Sequence, residues 1–120
     1  MILKILNEDG ITIKYPKVEM EWRSAFENII IFLGADPKLW LEYNTDPELN
    51  IKIQQSMPLI AHIDPWADTY INSKQAEMYI EEFKNLMQLT TDQDLKGYCK
   101  IVIETLENIE DCTFLVFYGD

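Results

Sequence analysis

The segment from His62 to Asp68 contains the only histidine of the chain and is the best candidate for metal or acid–base chemistry. His62, Asp64 and Asp68 place three potential nitrogen or oxygen ligands close together in the sequence. Their order lacks the Asp-x-Asp-x-Asp-Gly pattern of a calcium loop and the paired histidines of a zinc enzyme. We therefore expect the two aspartates to cap turns around Pro65 and His62 to lie in or beside a strand. A metal site is the alternative.

Other residues with catalytic potential do not form a recognisable active site. No Gly-x-Ser-x-Gly motif is present, and the four glycines do not form a phosphate-binding loop. The 21 carboxylates offer many acids but single out no pair for acid–base catalysis. Cys99 and Cys112 lie beside apolar neighbours, which predicts two reduced, buried thiols. We expect a protein that is not an enzyme and binds no cofactor.

Charge is the most pronounced property of the composition. The chain has 10 basic and 21 acidic residues among 120, for a net charge of −11. Lys100 is the last basic residue, and five carboxylates follow it. Negative charge of this size repels nucleic acid and anionic membranes, because phosphate binding requires clustered Lys and Arg. A basic protein or a metal ion is therefore the expected partner, and neither nucleic acid nor a membrane is.

The N-terminal segment predicts a β-hairpin. Two segments rich in Ile and Leu, residues 1–6 and 11–15, flank Asn7-Glu8-Asp9-Gly10. Gly10 can adopt the positive φ angle that such a turn requires. One edge of this hairpin could pair with a second copy of the chain, so the oligomeric state is open.

A helix is predicted next, from about Glu19 to Leu33. Apolar residues recur there at helical spacing, and Gly34 supplies a C-terminal stop. The β-branched run at residues 29–31 leaves a strand as the alternative.

The middle of the chain is harder to assign. Asp36-Pro37 predicts a short helix over residues 38–41, and Asp46-Pro47 repeats the signal. Residues 51–63 fit either strands or a helix, because Leu49, Ile51 and Ile53 alternate as a strand does whereas Pro58 interrupts the pattern. Residues 59–63 could form a second strand.

The C-terminal part of the chain predicts two helices and a strand. Asn72-Ser73 and then Thr91 or Asp92 are capping signals, each followed by an apolar stripe at helical spacing. Residues 113–118 are apolar from Phe114 on, as in a strand buried on both faces. The order of elements predicts one α+β domain over residues 1–120, with a mainly antiparallel sheet, an N-terminal hairpin, a buried C-terminal strand and three main helices.

Several acidic residues are predicted on exposed helix faces. At 100° per residue, the side opposite the apolar stripe of the last helix bears Glu104, Glu107 and Asp111, with Glu110 beside them. Glu77 and Glu81 lie one turn apart on the preceding helix. Like charges at this spacing and carboxylates near a helix C-terminus each cost a few tenths of a kcal/mol or more. Such repeated costs fit a recognition surface, and the alternative is a solvated face that keeps the protein soluble.

Trp66 is a candidate interface residue for a different reason. It lies in a Pro-containing segment between two aspartates, where a turn could leave its indole partly exposed. Tryptophan is enriched at the energetic centres of protein interfaces. Its alternative role is to cover the edge of the core.

Two segments together resemble a known group of proteins. The first, His62-Ile63-Asp64-Pro65-Trp66-Ala67-Asp68-Thr69-Tyr70-Ile71-Asn72, continues through Gln75 and contains Asp-x-x-x-Asp-Thr-x-x-Asn-x-x-Gln. The second is the ending Phe114-Leu115-Val116-Phe117-Tyr118-Gly119-Asp120. They are similar to small bacterial immunity proteins of polymorphic or contact-dependent toxin systems. The resemblance covers the C-terminal half of the chain.

The resemblance implies a non-catalytic, cytoplasmic protein that binds one cognate toxin domain and blocks it. Such toxins include nucleases with basic, phosphate-binding clefts, which an acidic surface complements. Within the motif, Asp68, Thr69, Asn72 and Gln75 have an alternative role as turn and cap residues of the fold. Two other classes stay open: an acidic adaptor or regulatory module that binds a basic protein, including an inhibitor that mimics nucleic acid, and a metal-dependent enzyme.

Overall fold

The computed structural model describes residues 1–34 and 55–119, with the backbone alone for residues 31–34. The elements described are β1 (Ile2–Leu6), β2 (Thr12–Lys14), α1 (Met20–Gly34), α2 (Pro58–Ala61), β3 (Thr69–Asn72), α3 (Ala76–Leu89), α4 (Gln93–Glu107) and β4 (Phe114–Tyr118). Predictions for residues 35–54, including the short helix at 38–41, lie outside the described residues, as does Asp120.

The strands form one antiparallel sheet in the order β2-β1-β4-β3. The first and last strands pair along their whole length, from Ile2 opposite Tyr118 to Leu6 opposite Phe114. The predicted C-terminal strand is confirmed: its central residues 115–117 are buried, and it lies between β1 and β3 in the sheet. Tyr118 at its end is exposed. The sheet and its helices confirm the α+β prediction.

The N-terminal hairpin is confirmed, and its turn follows from two residues. The side-chain Oδ1 of Asn7 accepts hydrogen bonds from the backbone N–H groups of Asp9, at 3.0 Å, and Ile11, at 2.9 Å. Gly10 has the predicted positive φ angle, +78°. The edge strand β2 is only three residues long, and its register against β1 shifts at residues 5 and 6.

The three long helices lie where hydrophobic spacing predicted them. For α1 the helix is confirmed to within one residue at each end, so the strand alternative for residues 29–31 is wrong. Asp92 caps α4 by accepting from Asp94 N–H at 2.9 Å and Leu95 N–H at 3.2 Å. The cap predicted for α3 is different: Asn72 ends β3 and stabilises the turn that precedes α3. None of the described helices is long and apolar enough to cross a membrane.

One hydrophobic cluster joins these helices to one face of the sheet. At its centre the Phe26 ring of α1 stacks on Tyr98 of α4, with centroids 4.2 Å apart. Phe83 of α3 and Phe117 of β4 lie beside it with nearly parallel rings. Stacked aromatic rings bury large apolar areas. Because these four rings come from the three long helices and from β4, they hold the helices against the sheet.

Two short elements differ from the sequence predictions. Residues 58–61 form the helix α2, which settles the choice left open for the described end of the 51–63 segment and makes the strand at 59–63 wrong. A buried carboxylate from α3 stabilises α2: Glu82 accepts from the N–H groups of Leu59, at 2.9 Å, and Ile60, at 3.1 Å. The strand β3 was not predicted.

Candidate protein-binding surfaces

The His62–Asp68 segment forms turns that connect α2 to β3. His62 ends α2, and its Nδ1 lies 2.5 Å from the carbonyl oxygen of Pro58, so the prediction that it lies in or beside a strand is wrong. Asp64 does cap a turn, since its Oδ1 accepts from Trp66 N–H at 2.8 Å. Among the residues that the structure describes, no three His, Cys, Asp or Glu side chains are grouped to hold a metal ion.

The two cysteines have opposite environments. Cys99 is buried in the core, and burial raises the pKa of its thiol to about 12. Cys112 is exposed, so the prediction that it is buried is wrong. It lies in the turn between α4 and β4 and has a φ angle of +64°, in the left-handed region.

The acidic residues predicted on helix faces are all exposed, but they do not form a single helical strip. Glu104 and Glu107 lie in the last turn of α4. The helix ends there, because Asn108 adopts a cap conformation and its side chain donates to the carbonyl of Glu104 at 2.7 Å. Glu110 and Asp111 therefore belong to the following turn. We call these four residues the acidic end of α4.

Few cations oppose the carboxylates of the acidic end of α4. Glu107 lies 3.9 Å from the ammonium of Lys84 on α3, and both side chains are about half exposed. Asp111 accepts from the hydroxyl of Ser73 at 2.9 Å. Within the described part of the chain, Glu104 and Glu110 make no ion pair. Their charge is thus available to a partner.

Glu104 and Glu110 also line a groove of about 760 Å³ between β2 and α4. Lys14 and Lys17 line it from the side of the hairpin, and isoleucines from both elements contribute apolar surface. Neither lysine approaches a carboxylate within ion-pair distance among the described residues. The groove therefore joins the acidic end of α4 to an apolar surface.

The remaining predicted partner-binding residues lie elsewhere. Glu77 and Glu81 are exposed on α3, which packs against α4. Trp66 is 72% exposed, so it does not cover the core edge. Its loop runs beside the end of β4, where Gly119 contacts the backbone of Ala67. The groove borders β2, the opposite edge of the sheet from β3, so the structure does not combine Trp66 with the groove.

Three residues of the family-like segments, Asn72, Gln75 and Gly119, have structural roles. Asn72 and Gln75 exchange two hydrogen bonds, each side-chain oxygen accepting from the other residue's N–H at 2.9 and 3.1 Å. A Cβ atom on Gly119 would lie 2.4 Å from the carbonyl oxygen of Ala67. The two segments of the motif thus meet in space, because β3 pairs with β4.

A second candidate surface was not predicted from the sequence. The side of the sheet away from the helices bears alternate residues of three strands, which we call the open sheet face: Ile2, Lys4, Leu6, Tyr70, Asn72, Phe114, Val116 and Tyr118. Tyr70 and Tyr118 are about half exposed, at 52% and 42%. The available signal was the β-branched and aromatic run at 69–71, which favours a strand.

Comparison of the chain with protein-family models, with curated proteins and with solved structures gives no match.

Proposed function

We propose that this chain is an immunity-type binding protein that neutralises a cognate basic toxin domain by covering it with its acidic surface. The resemblance of its C-terminal half to such proteins supports the toxin as the class of partner. A nuclease, whose cleft must attract phosphate, is one kind of toxin with the required charge.

The observation that carries the proposal is the acidic end of α4. None of the three long helices described has a basic residue in its last turn, although a cation there would be favourable. Instead, α4 ends with Glu104 and Glu107, and Glu110 follows. Exposed carboxylates in this position reduce helix stability slightly while attracting a basic protein from a distance. A binding role gives this arrangement a benefit that stability does not.

Co-expression with a candidate toxin, taken from the products of the neighbouring genes, tests the proposal. Cells that make both proteins should survive, and the two should co-purify as a stable complex. Death of these cells, with no complex recovered, would overturn the proposal.

A charge-reversal variant locates the surface. Glu104→Lys with Glu107→Lys and Glu110→Lys should weaken toxin binding about tenfold or more, because three attractive contacts become repulsive. The matched control reverses three exposed carboxylates elsewhere, Glu8, Asp9 and Glu21. It changes net charge equally and should weaken binding much less. If both variants lost the same toxin affinity, the acidic end of α4 would contribute only through the net charge of the protein.

A further inference from the structure

The open sheet face has exposed aromatic residues of the kind that are enriched at the centre of protein–protein interfaces. The described helices pack against the alternate residues on the other side, Leu3, Ile71, Leu115 and Phe117. On the open sheet face Leu6 and Val116 are buried as well, so its accessible part lies around Tyr70 and Tyr118. Tyr70 and Tyr118 project from it, and the rings of Tyr70 and Phe114 meet edge to face at 6.3 Å. Aromatic side chains on strands lose little conformational entropy on binding and provide large contact areas.

A cation of the chain itself already lies over one of these rings. The ammonium of Lys4 lies 3.7 Å from the ring centroid of Tyr118 and 5.9 Å from that of Tyr15. This contact is a cation–π interaction, in which the negative face of the ring attracts positive charge. Lys4 makes no ion pair within the described part of the chain. The geometry of the Tyr118 ring on this face thus suits a cation, and in the free chain that cation is Lys4.

Extending the register of the sheet by one residue places a carboxylate on the same face. In the pairing of β3 with β4, Thr69 is opposite Phe117 and Tyr70 is opposite Val116. The contact between Ala67 and Gly119 continues this register, which places Asp68 opposite Tyr118. Alternation puts Asp68 on the open sheet face, where it is exposed and, among the described residues, has no ion pair.

We propose that the open sheet face binds arginine side chains of a basic protein partner, with the guanidinium stacked on Tyr70 or Tyr118 and paired with Asp68. This inference rests on the proposed function for the identity of the partner as a basic protein. Arginine fits better than lysine because its planar guanidinium stacks on rings and bonds a carboxylate with two parallel donors. A second copy of the chain fits poorly, since it would bring Lys4 and a net charge of −11 against their equals.

Titration with hexa-arginine and hexa-lysine peptides, followed by amide NMR shifts at low ionic strength, tests this inference. The two peptides carry equal charge, so long-range attraction treats them alike, and the position of the shifts separates binding on the open sheet face from arginine–carboxylate contacts elsewhere. We expect hexa-arginine to bind about threefold more tightly, with the largest shifts on β3 and β4. Equal affinities, or shifts confined to α4, would overturn the inference.

Ring removal identifies the source of the preference. Tyr70→Leu with Tyr118→Leu should abolish the preference for hexa-arginine, whereas Tyr70→Phe with Tyr118→Phe should keep it, because the rings remain. Met78→Ala removes an exposed apolar side chain from α3 and should change nothing. Thermal unfolding establishes that each variant is folded. A preference that survives the two leucines contradicts the assignment, and so does its loss in the two phenylalanines.

Removal of Lys4, the cation that already contacts the Tyr118 ring, should have the opposite effect to removal of the rings. Lys4→Gln frees the Tyr118 ring, so the ratio of hexa-lysine to hexa-arginine dissociation constants should rise. Lys14→Gln makes the same charge change at a lysine with no ring contact among the described residues, and should leave the ratio unchanged. Equal ratios in the two variants would contradict the inference. Survival in the toxin co-expression assay is a separate readout, so peptide preference without neutralisation would overturn the proposed function alone.

Discussion

The acidic end of α4 and the open sheet face differ in the kind of interaction that they offer. The acidic end carries full charges on flexible side chains at a helix terminus and in the turn beyond it. The open sheet face carries rings on one central strand, β4, and one edge strand, β3, with a single lysine on the neighbouring β1. Charge acts over about 10 Å and mainly sets association rates, whereas packed rings act at contact and mainly set dissociation rates.

One partner can therefore use both regions for separate steps of binding. Carboxylates at the acidic end of α4 would attract and orient a basic protein. Rings on the open sheet face would then hold its arginines. The residues that carry the two roles are different, so substitutions can test each region separately.

The largest expected effect concerns the support of the open sheet face. Gly119→Ala should lower the free energy of unfolding by about 3 kcal/mol, since the new Cβ would lie 2.4 Å from the Ala67 carbonyl oxygen and backbone must move. Chemical denaturation measures the loss. Gly10→Ala is the matched control in the hairpin turn, where only a positive φ angle is strained, and should cost about 1 kcal/mol. Equal costs would show that β4 and the Trp66 loop are not tightly packed.

A second substitution contrasts a structural carboxylate with those at the acidic end of α4. Glu82→Ala should cost about 2 kcal/mol, because it leaves the Leu59 and Ile60 N–H groups without their acceptor. Glu82→Gln keeps an acceptor oxygen and should cost less. Denaturation midpoints distinguish the two. An alanine variant as stable as the glutamine variant would mean that the hydrogen bonds to α2 contribute little.

The pH dependence of stability extends the same contrast. Burial raises the pKa of Glu82 above its ordinary value, although the two N–H donors partly oppose the shift. The folded state thus holds this proton more tightly than the unfolded chain, whose glutamate pKa is about 4.3. The contribution of Glu82 to stability therefore falls as pH rises from about 4 through the raised pKa. Denaturation at several pH values should show this loss in the wild type and not in Glu82→Gln.

The smallest expected effect is a gain. Glu104→Gln with Glu107→Gln should raise the free energy of unfolding by about 0.5 kcal/mol, because it removes two like charges from the negative end of α4. Glu77→Gln with Glu81→Gln changes a similar pair near the start of α3, where the helix dipole favours carboxylates, and should give no gain. The difference in stability change between the two double variants should shrink in high salt. A loss in the first variant would mean that these carboxylates stabilise the fold.

The sequence predicts elements whose signals are local. The hairpin follows from Asn7 and Gly10, and α4 begins at Asp92, because each turn or cap is formed by residues close in sequence. It does not predict β3, which pairs with a strand at the far end of the chain, or α2, which Glu82 caps from another helix. Local propensity carries no information on such distant partners.

The same limit applies to the candidate sites. Exposure of Glu77 and Glu81 follows from helical periodicity alone. The position of Asp111 does not, because α4 ends at an asparagine cap before reaching it. Tyr70 and Tyr118 were not predicted, because strand alternation cannot show which face of a sheet the helices leave uncovered.

Association kinetics with the proposed toxin partner test whether the acidic end of α4 recruits a basic protein. The variant Glu104→Lys, Glu107→Lys and Glu110→Lys should associate about tenfold more slowly than the wild type at low salt, and the difference should close at high salt. Tyr70→Leu with Tyr118→Leu should instead change mainly the dissociation rate. An association rate constant within about twofold of the wild type for the charge-reversal variant would contradict recruitment by this surface.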